Sequence, residues 1–196
     1  MDILNPTTLI PLVGLVGIGI IIFLETGIFF GVMFPGDSLL FTAGLFAAKG
    51  LISFPLLLVV CISAAILGDQ VGYFIGKKLG PKLFTRKETF FFKKSYLEKT
   101  KNFYAKHGVK TIIIARFIPI VRTFAPTLAG AGEMDYKTFT KYNIVGGILW
   151  VLLFCYLGYF LAGVIGDNLI HLGYVVGIII FVSLATGVWQ FFVKRH

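Results

Sequence analysis

Two short apolar runs, each interrupted by prolines and ionisable residues, restrict the fold of this chain more than any other feature. The first, residues 26–46, reads TGIFFGVMFPGDSLLFTAGLF, with Pro35-Gly36-Asp37-Ser38 near its middle and Glu25 just ahead of it. The second, residues 111–132, reads TIIIARFIPIVRTFAPTLAGAG and contains Arg116, Pro119, Arg122 and Pro126. A helix that crosses a bilayer needs about 20 consecutive apolar residues, and each arm of these runs has roughly half that. Charge and proline are tolerated at such depth where the chain faces protein or a wet cavity instead of lipid. The two runs are therefore expected to be re-entrant hairpins, at about 26–48 and about 111–133, whose tips meet inside the membrane. Acids sit on one tip and arginines on the other, which is the layout of a transporter site.

Composition supports a membrane setting. The 196 residues are 57% hydrophobic and 14% charged, and the mean hydropathy is +0.90. A soluble domain of this length cannot hide so much apolar surface, so one integral membrane domain covering 1–196 is expected. The formal net charge of +9 invites a nucleic-acid reading, but its distribution speaks against one. Eleven Lys or Arg lie between Lys77 and Lys110 against two acids, Glu88 and Glu98. That excess marks 77–110 as a cytoplasmic loop, and no nucleic-acid recognition motif accompanies it. Cys61 and Cys155 both fall in apolar segments and read as packing residues, not disulfide halves. Leu9–Leu24 resembles a signal peptide in length. It lacks a basic leading region, however, and Glu25 stands where a small-residue cleavage site belongs, so it reads as a retained anchor.

The remaining segments follow from the same signals. The first hairpin closes near Lys49-Gly50, and Leu51–Gly76 is expected to span. Ser95-Tyr-Leu-Glu98 forms a capping box for a helix running to about His107. That helix is either an interfacial element, given Phe90–Phe92, Tyr96, Leu97, Phe103 and Tyr104 among its lysines, or a plain solvated basic helix. Asp135 is a candidate N-cap for the next helix. Asn143–Gly166 and Leu169–Val193 are expected to span, followed by the basic tail Lys194-Arg195-His196. With 77–110 inside, counting crossings puts both termini in the cytoplasm. It also has the two hairpins enter from opposite faces, an inverted repeat of hairpin plus spanning helix with its substrate site at the midplane.

Five ionisable residues occupy apolar surroundings: Glu25, Asp37, Asp69, Arg116 and Arg122. Each costs at least about 2.5 kcal/mol at bilayer depth. Individually each has a bland explanation. Asp37 could cap the second hairpin arm, Glu25 could end a helix at the interface, Asp69 could bond Tyr73 one turn on, and Arg116 could snorkel to the headgroups. Arg122 resists such an account, because it lies past Pro119 between Ile120-Val121 and Phe124-Ala125.

Together the five favour function. Arginine presents a planar fork that matches phosphate bidentately and keeps its proton. Helix N-termini opening after Ser38 and after Pro126 would add backbone N–H groups. Arg116, Arg122 and Ser38 are thus the expected substrate-binding residues for a lipid phosphate. Two arginines against three carboxylates leave a net charge of −1, which an arriving phosphate makes worse, so Glu25, Asp37 and Asp69 are the expected proton-coupling residues.

An enzyme such as a lipid phosphatase is not expected. His107 lies in the basic loop, His171 begins the last span and His196 is terminal, which leaves no histidine for the chemistry. No cofactor, metal or nucleic-acid partner is implied. Glycine-rich stretches such as Gly14–Gly19 and Gly158–Gly166 permit close helix packing within or between protomers, a homo-oligomer included.

The segment Arg116-Phe-Ile-Pro-Ile-Val-Arg122-Thr-Phe-Ala-Pro126-Thr-Leu-Ala-Gly-Ala-Gly132-Glu-Met134, followed by Phe139, Asn143, Gly147 and Trp150, resembles the DedA family, also described as the SNARE-associated or VTT-domain superfamily. Glu25, Phe34-Pro35-Gly36-Asp37 and Gly68-Asp69-Gln70-Val71-Gly72-Tyr73 agree with it, and the likeness covers nearly the whole chain. Asp37 is a shorter carboxylate than the Glu the family often carries there. The resemblance implies an all-α membrane fold with two re-entrant hairpins, a bacterial cytoplasmic-membrane location and lipid transport. The implied cargo is undecaprenyl phosphate returned for wall synthesis, or a phospholipid such as phosphatidylethanolamine. It further implies dependence on the proton motive force, with acids like Glu25 and Asp37 and arginines like Arg116 and Arg122 required. A proton-coupled transporter of a small solute or ion is the alternative from the same residues.

Overall fold

A computed structural model describes residues 6–27, 36–83 and 111–165. Every element among them is a helix: α1 (Pro6–Gly27), α2 (Gly36–Ala48), α3 (Phe54–Leu83), α4 (Thr111–Ala115), α5 (Pro119–Ala131) and α6 (Tyr136–Ile165). The first arm of the first hairpin, the capping box at Ser95 and the final span Leu169–Val193 lie outside the described residues.

Helix length separates two kinds of element. The 30 residues of α3 and of α6 extend roughly 45 Å, more than a hydrocarbon core of about 30 Å. Both are long and apolar enough to cross a membrane, over Phe54–Lys78 and Tyr136–Gly163. By contrast α2 and α5 have 13 residues each, roughly 20 Å, which cannot span. Each short helix is followed by a brief turn and then a long one.

The long helices are inverted relative to a soluble protein. On α3 the stripe Leu57, Cys61, Ala65, Gly68, Asp69, Gly72 and Tyr73 is buried, while Val59, Leu67 and Phe74 are exposed. On α6, Asn143, Gly146, Gly147, Trp150, Cys155 and Gly158 face inward, with Leu149, Leu153 and Phe160 outward. Apolar side chains outside and charged ones inside is the arrangement lipid favours, since an outward leucine costs nothing there and an inward charge can find partners.

Packing pairs each short helix with the long helix that follows the other short one: α2 lies along α6, and α5 along α3, with α1 also against α3. Both seams are closed by glycine. A β-carbon at Gly44 would strike the Cys155 carbonyl, and one at Gly158 the Phe41 carbonyl. Between α3 and α5 the same reciprocity recurs, Gly76 against the Thr127 carbonyl and Gly130 against the Tyr73 carbonyl. In all four helices the glycine stands three residues after the carbonyl that its partner's glycine meets. Backbones this close gain dispersion contacts in a solvent that offers no hydrophobic drive.

Helix ends follow local chemistry. At the start of α6 the Thr138 N–H and hydroxyl both donate to Asp135 Oδ2, at 2.9 and 2.8 Å, so Asp135 is the N-cap. The backbone donor at Thr138 also holds the Asp135 carboxyl below its ordinary value. Both short helices end in the same C-terminal motif. Behind α2, Gly50 N–H donates to Ala47 O and Leu51 N–H to Phe46 O, with Gly50 at φ 75°. Behind α5, Glu133 N–H donates to Gly130 O and Met134 N–H to Ala129 O, but the left-handed residue is Glu133 at φ 58°. A side chain there costs about 1–2 kcal/mol, part of which glycine loses again through unfolded-chain entropy. Glu133→Gly is therefore expected to stabilise the chain by about 1 kcal/mol, read as a raised midpoint for denaturant unfolding in detergent; a lowered midpoint would show that Glu133 makes a compensating contact.

Two expectations about helix starts are corrected. α5 does not open after Pro126. It opens at Pro119, whose fixed φ suits the first turn and whose missing N–H would be unpaired there anyway. Pro126 sits inside α5, fitted against Gly72, and has no N–H to offer the Arg122 carbonyl one turn earlier. α2 opens at Gly36, not after Ser38. The Glu25 carboxylate of α1 lies close against Gly36 at the head of that first turn. A β-carbon at residue 36 would collide with that carboxylate.

Candidate functional site

Arg122 lies in the first turn of α5, and its backbone N–H donates to Ile118 O at 2.9 Å. Its side chain enters the interior and divides its fork between two helices. Nη2 donates to Glu25 Oε1 on α1, and Nη1 to Asp37 Oδ1 on α2. From α6, the Trp150 indole N–H donates to the same Asp37 oxygen at 2.8 Å, and the Trp150 ring lies 4.6 Å from the guanidinium carbon. Four helices thus converge on one cation. Arg122 Nε is buried with no hydrogen-bond partner among the described residues, so the guanidinium retains a donor that its carboxylates leave unused.

Arg116 forms a second cluster at the break between α4 and α5. The chain leaves α4 after Ala115, turns through Arg116-Phe117-Ile118 and re-enters helix at Pro119. Phe117 and Ile118 are exposed, whereas Arg116 is only 4% exposed. Its Nη2 donates to Asp69 Oδ2 on α3 and to Asn143 Oδ1 on α6. The Asn143 amide in turn donates to the Ile66 carbonyl at 3.2 Å, tying α6 to α3 behind the arginine. The guanidinium stem runs along Gly146 and Gly147, where a β-carbon at Gly146 would come within 2.9 Å of Arg116 Cδ. Arg116 Nε is likewise buried without a partner among the described residues.

The two clusters share one stripe of α6. Asn143, Gly146, Gly147 and Trp150 follow the helical period, and the seven residues from Asn143 to Trp150 amount to roughly 10 Å along the axis. Arg116 and Arg122 are therefore separate stations on the same internal wall.

All six residues expected at the site are placed, and five of them meet. Glu25, Asp37 and Arg122 form one group; Asp69 and Arg116 form the other. Ser38 is buried in the first turn of α2, next to Asp37 in the chain. The bland explanations for Asp69 and Arg116 fail. Tyr73 donates its hydroxyl to the Met134 carbonyl at 2.5 Å, not to Asp69, and Arg116 turns inward to Asp69 instead of outward to headgroups. Reading the residues one by one missed Trp150 and Asn143, which entered only through family resemblance. Their helical spacing on α6 was the available signal. No group of His, Cys, Asp or Glu suited to hold a metal ion occurs among the described residues.

Comparison with known proteins agrees with a membrane setting. The family model for the VTT domain matches residues 34–160. Protein DedA of Escherichia coli strain K12 is 50% identical over 181 residues, covering 90% of this chain and 80% of the relative. The uncharacterized membrane protein Rv0364 of Mycobacterium tuberculosis strain H37Rv is 44% identical over 172 residues, covering 86% and 74%. Inner membrane protein YqjA of Escherichia coli strain K12 is 36% identical over 142 residues, covering 72% and 64%. No solved structure matches the chain. A family match across 34–160 takes in Asp37, Asp69, both arginines, Asn143 and Trp150, and the chain belongs to the DedA family of VTT-domain membrane proteins.

Proposed function

We propose that this protein is a membrane lipid transporter that moves a lipid phosphate, undecaprenyl phosphate or a related phospholipid, between leaflets under the proton motive force. The observation that carries the reading is the Arg122 guanidinium, buried at the start of a non-spanning helix and holding carboxylates from two other helices. A planar fork occupied by two carboxylates is also shaped for a phosphate. Arg116, with its own unused Nε–H, and Ser38 complete the anion site, and Glu25, Asp37 and Asp69 exchange protons to offset the arriving charge.

The chain works as a bacterial inner-membrane protein with cytoplasmic termini, on the basic loop 77–110 and the positive-inside rule. The residues around 26–48 and 111–133 act as re-entrant hairpins of an inverted repeat. In support, α2 and α5 have equal length, end in the same motif, and pack through reciprocal glycine seams. A site between broken helices at such a repeat interface is where transporters bind their cargo. An enzymatic role is not proposed.

The test uses purified protein in liposomes with labelled lipid phosphate in one leaflet. Faster transfer with protein than without, stimulated by an imposed proton gradient, is expected. No transfer of lipid, combined with uptake of a small anion through the same residues, would replace this reading by that of a proton-coupled solute transporter.

Coupling has its own prediction. Glu25→Gln mimics the protonated acid, so it should retain lipid-phosphate binding and lose the response to a proton gradient. A folded Glu25→Gln protein whose transport still follows the gradient would remove Glu25 from the coupling step.

A further inference from the structure

Trp150 touches both partners of one partly buried ion pair. It is fully buried in the main apolar cluster, its ring 6.2 Å from that of Phe154. An indole in such surroundings needs an acceptor for its N–H. Trp150 gives that N–H to Asp37 Oδ1, the oxygen already bonded to Arg122 Nη1, and lays its ring face on the same guanidinium. The two ends of the guanidinium are unequal. The Glu25 side chain is 1% exposed, whereas the Asp37 side chain is 27% exposed. An anion approaching Arg122 therefore meets Asp37 first. Displacing a partly buried carboxylate from its cation is costly unless another donor keeps it, because such a group regains only part of its hydration. The Trp150 N–H is a donor already in place.

We propose that Trp150 is a positioning residue that holds Asp37 while a phosphate group takes Asp37's place on Arg122, so that exchange occurs at the Asp37 end and Glu25 stays bound. This rests on the anion-transport reading above and adds to it the side of entry and the fate of the displaced carboxylate. The phosphate belongs either to a lipid headgroup or to the free ion.

The test is equilibrium binding of radiolabelled farnesyl phosphate to the purified full chain in detergent, with farnesol as the neutral control and inorganic phosphate as competitor. Four proteins are compared: the native chain, Trp150→Phe, Asp37→Asn and the double variant. Trp150→Phe keeps a ring over Arg122 and removes the N–H. It should weaken binding about tenfold, because the displaced Asp37 then loses the indole donor that holds it. In the Asp37→Asn background the same change should have little effect, since no charge needs rehousing. Competition by inorganic phosphate supports exchange with the free ion as the source; no competition supports exchange with the lipid.

Unchanged affinity in Trp150→Phe, or an equal loss in both backgrounds, overturns the inference and leaves the transport reading standing. A native chain that binds farnesyl phosphate no better than farnesol overturns both. If Asp37→Asn does not elute as a single folded species, Trp150→Tyr takes its place. A donor restored by the phenol should recover part of the affinity lost in Trp150→Phe, and no recovery counts against the proposal.

Discussion

Arg122→Lys is expected to lower lipid-phosphate transfer about a hundredfold, equivalent to one charge-assisted hydrogen bond of about 2.7 kcal/mol, while the protein still folds. The charge is retained, and an ammonium can still sit over the Trp150 ring. What disappears is the fork. Arg122 reaches Glu25 with one terminal nitrogen and Asp37 with the other, and a single ammonium is a compact point charge that does not reproduce this planar geometry. Arg122→Met supplies the contrast. It leaves two carboxylates facing each other without a cation, a loss of about 3–5 kcal/mol that should prevent accumulation of folded protein. Measuring elution profile and liposome transfer on both variants separates the outcomes. Full transfer by Arg122→Lys would mean that Arg122 acts through charge alone and that bidentate phosphate recognition is wrong.

The Arg116 cluster carries the second large effect. Asp69→Leu alone leaves a buried guanidinium with only the Asn143 carbonyl, and Arg116→Met alone strands Asp69. Each single change is expected to cost about 3–5 kcal/mol. The pair Asp69→Leu with Arg116→Met removes both charges together and should recover most of that loss, since a buried ion pair contributes little net stability over apolar groups of similar volume. Transfer activity gives the second half of the result. If Arg116 takes part in binding the anion, the double variant folds and does not transport. A folded double variant with native transfer would reduce Arg116 to a pin at the α4–α5 break. Additive losses in the double variant would show that the two residues stabilise the fold through separate contacts.

The chemistry of each segment was legible from residue order. Broken apolar runs around Pro35 and Pro119, the excess of lysine between 77 and 110, and five ionisable residues in apolar surroundings specify a membrane protein with charged residues inside. Each is a local property: a run too short to span, a rule about loops, a cost per charge. The Asp135 cap was equally readable, because capping needs only a side chain and an N–H three residues on. Helix starts were less so. Glu25 of α1 sets its carboxylate against Gly36 in the first turn of α2, a contact 11 positions back in the chain that no local pattern contains. Pro126 reads as a breaker yet lies within α5, because Gly72 on α3 leaves room for its ring.

Pairing among the charges was settled only by tertiary structure. Three acids and two arginines allow many combinations. The choice of Asp69 for Arg116 and of Glu25 with Asp37 for Arg122 follows from how α5 seats against α3 and α2 against α6. Those seats are set by backbone contact at Gly44, Gly76, Gly130 and Gly158. Trp150 and Asn143 join the site for the same reason. On α6 they are two residues of an inward stripe, and they become partners of Asp37 and Arg116 only once the glycine seams bring the helices together. Composition and spacing determine that charges are buried here, because each charge has the same cost wherever the helices lie; which charge meets which depends on distances of a few ångströms between segments far apart in the chain, and close packing alone decides them.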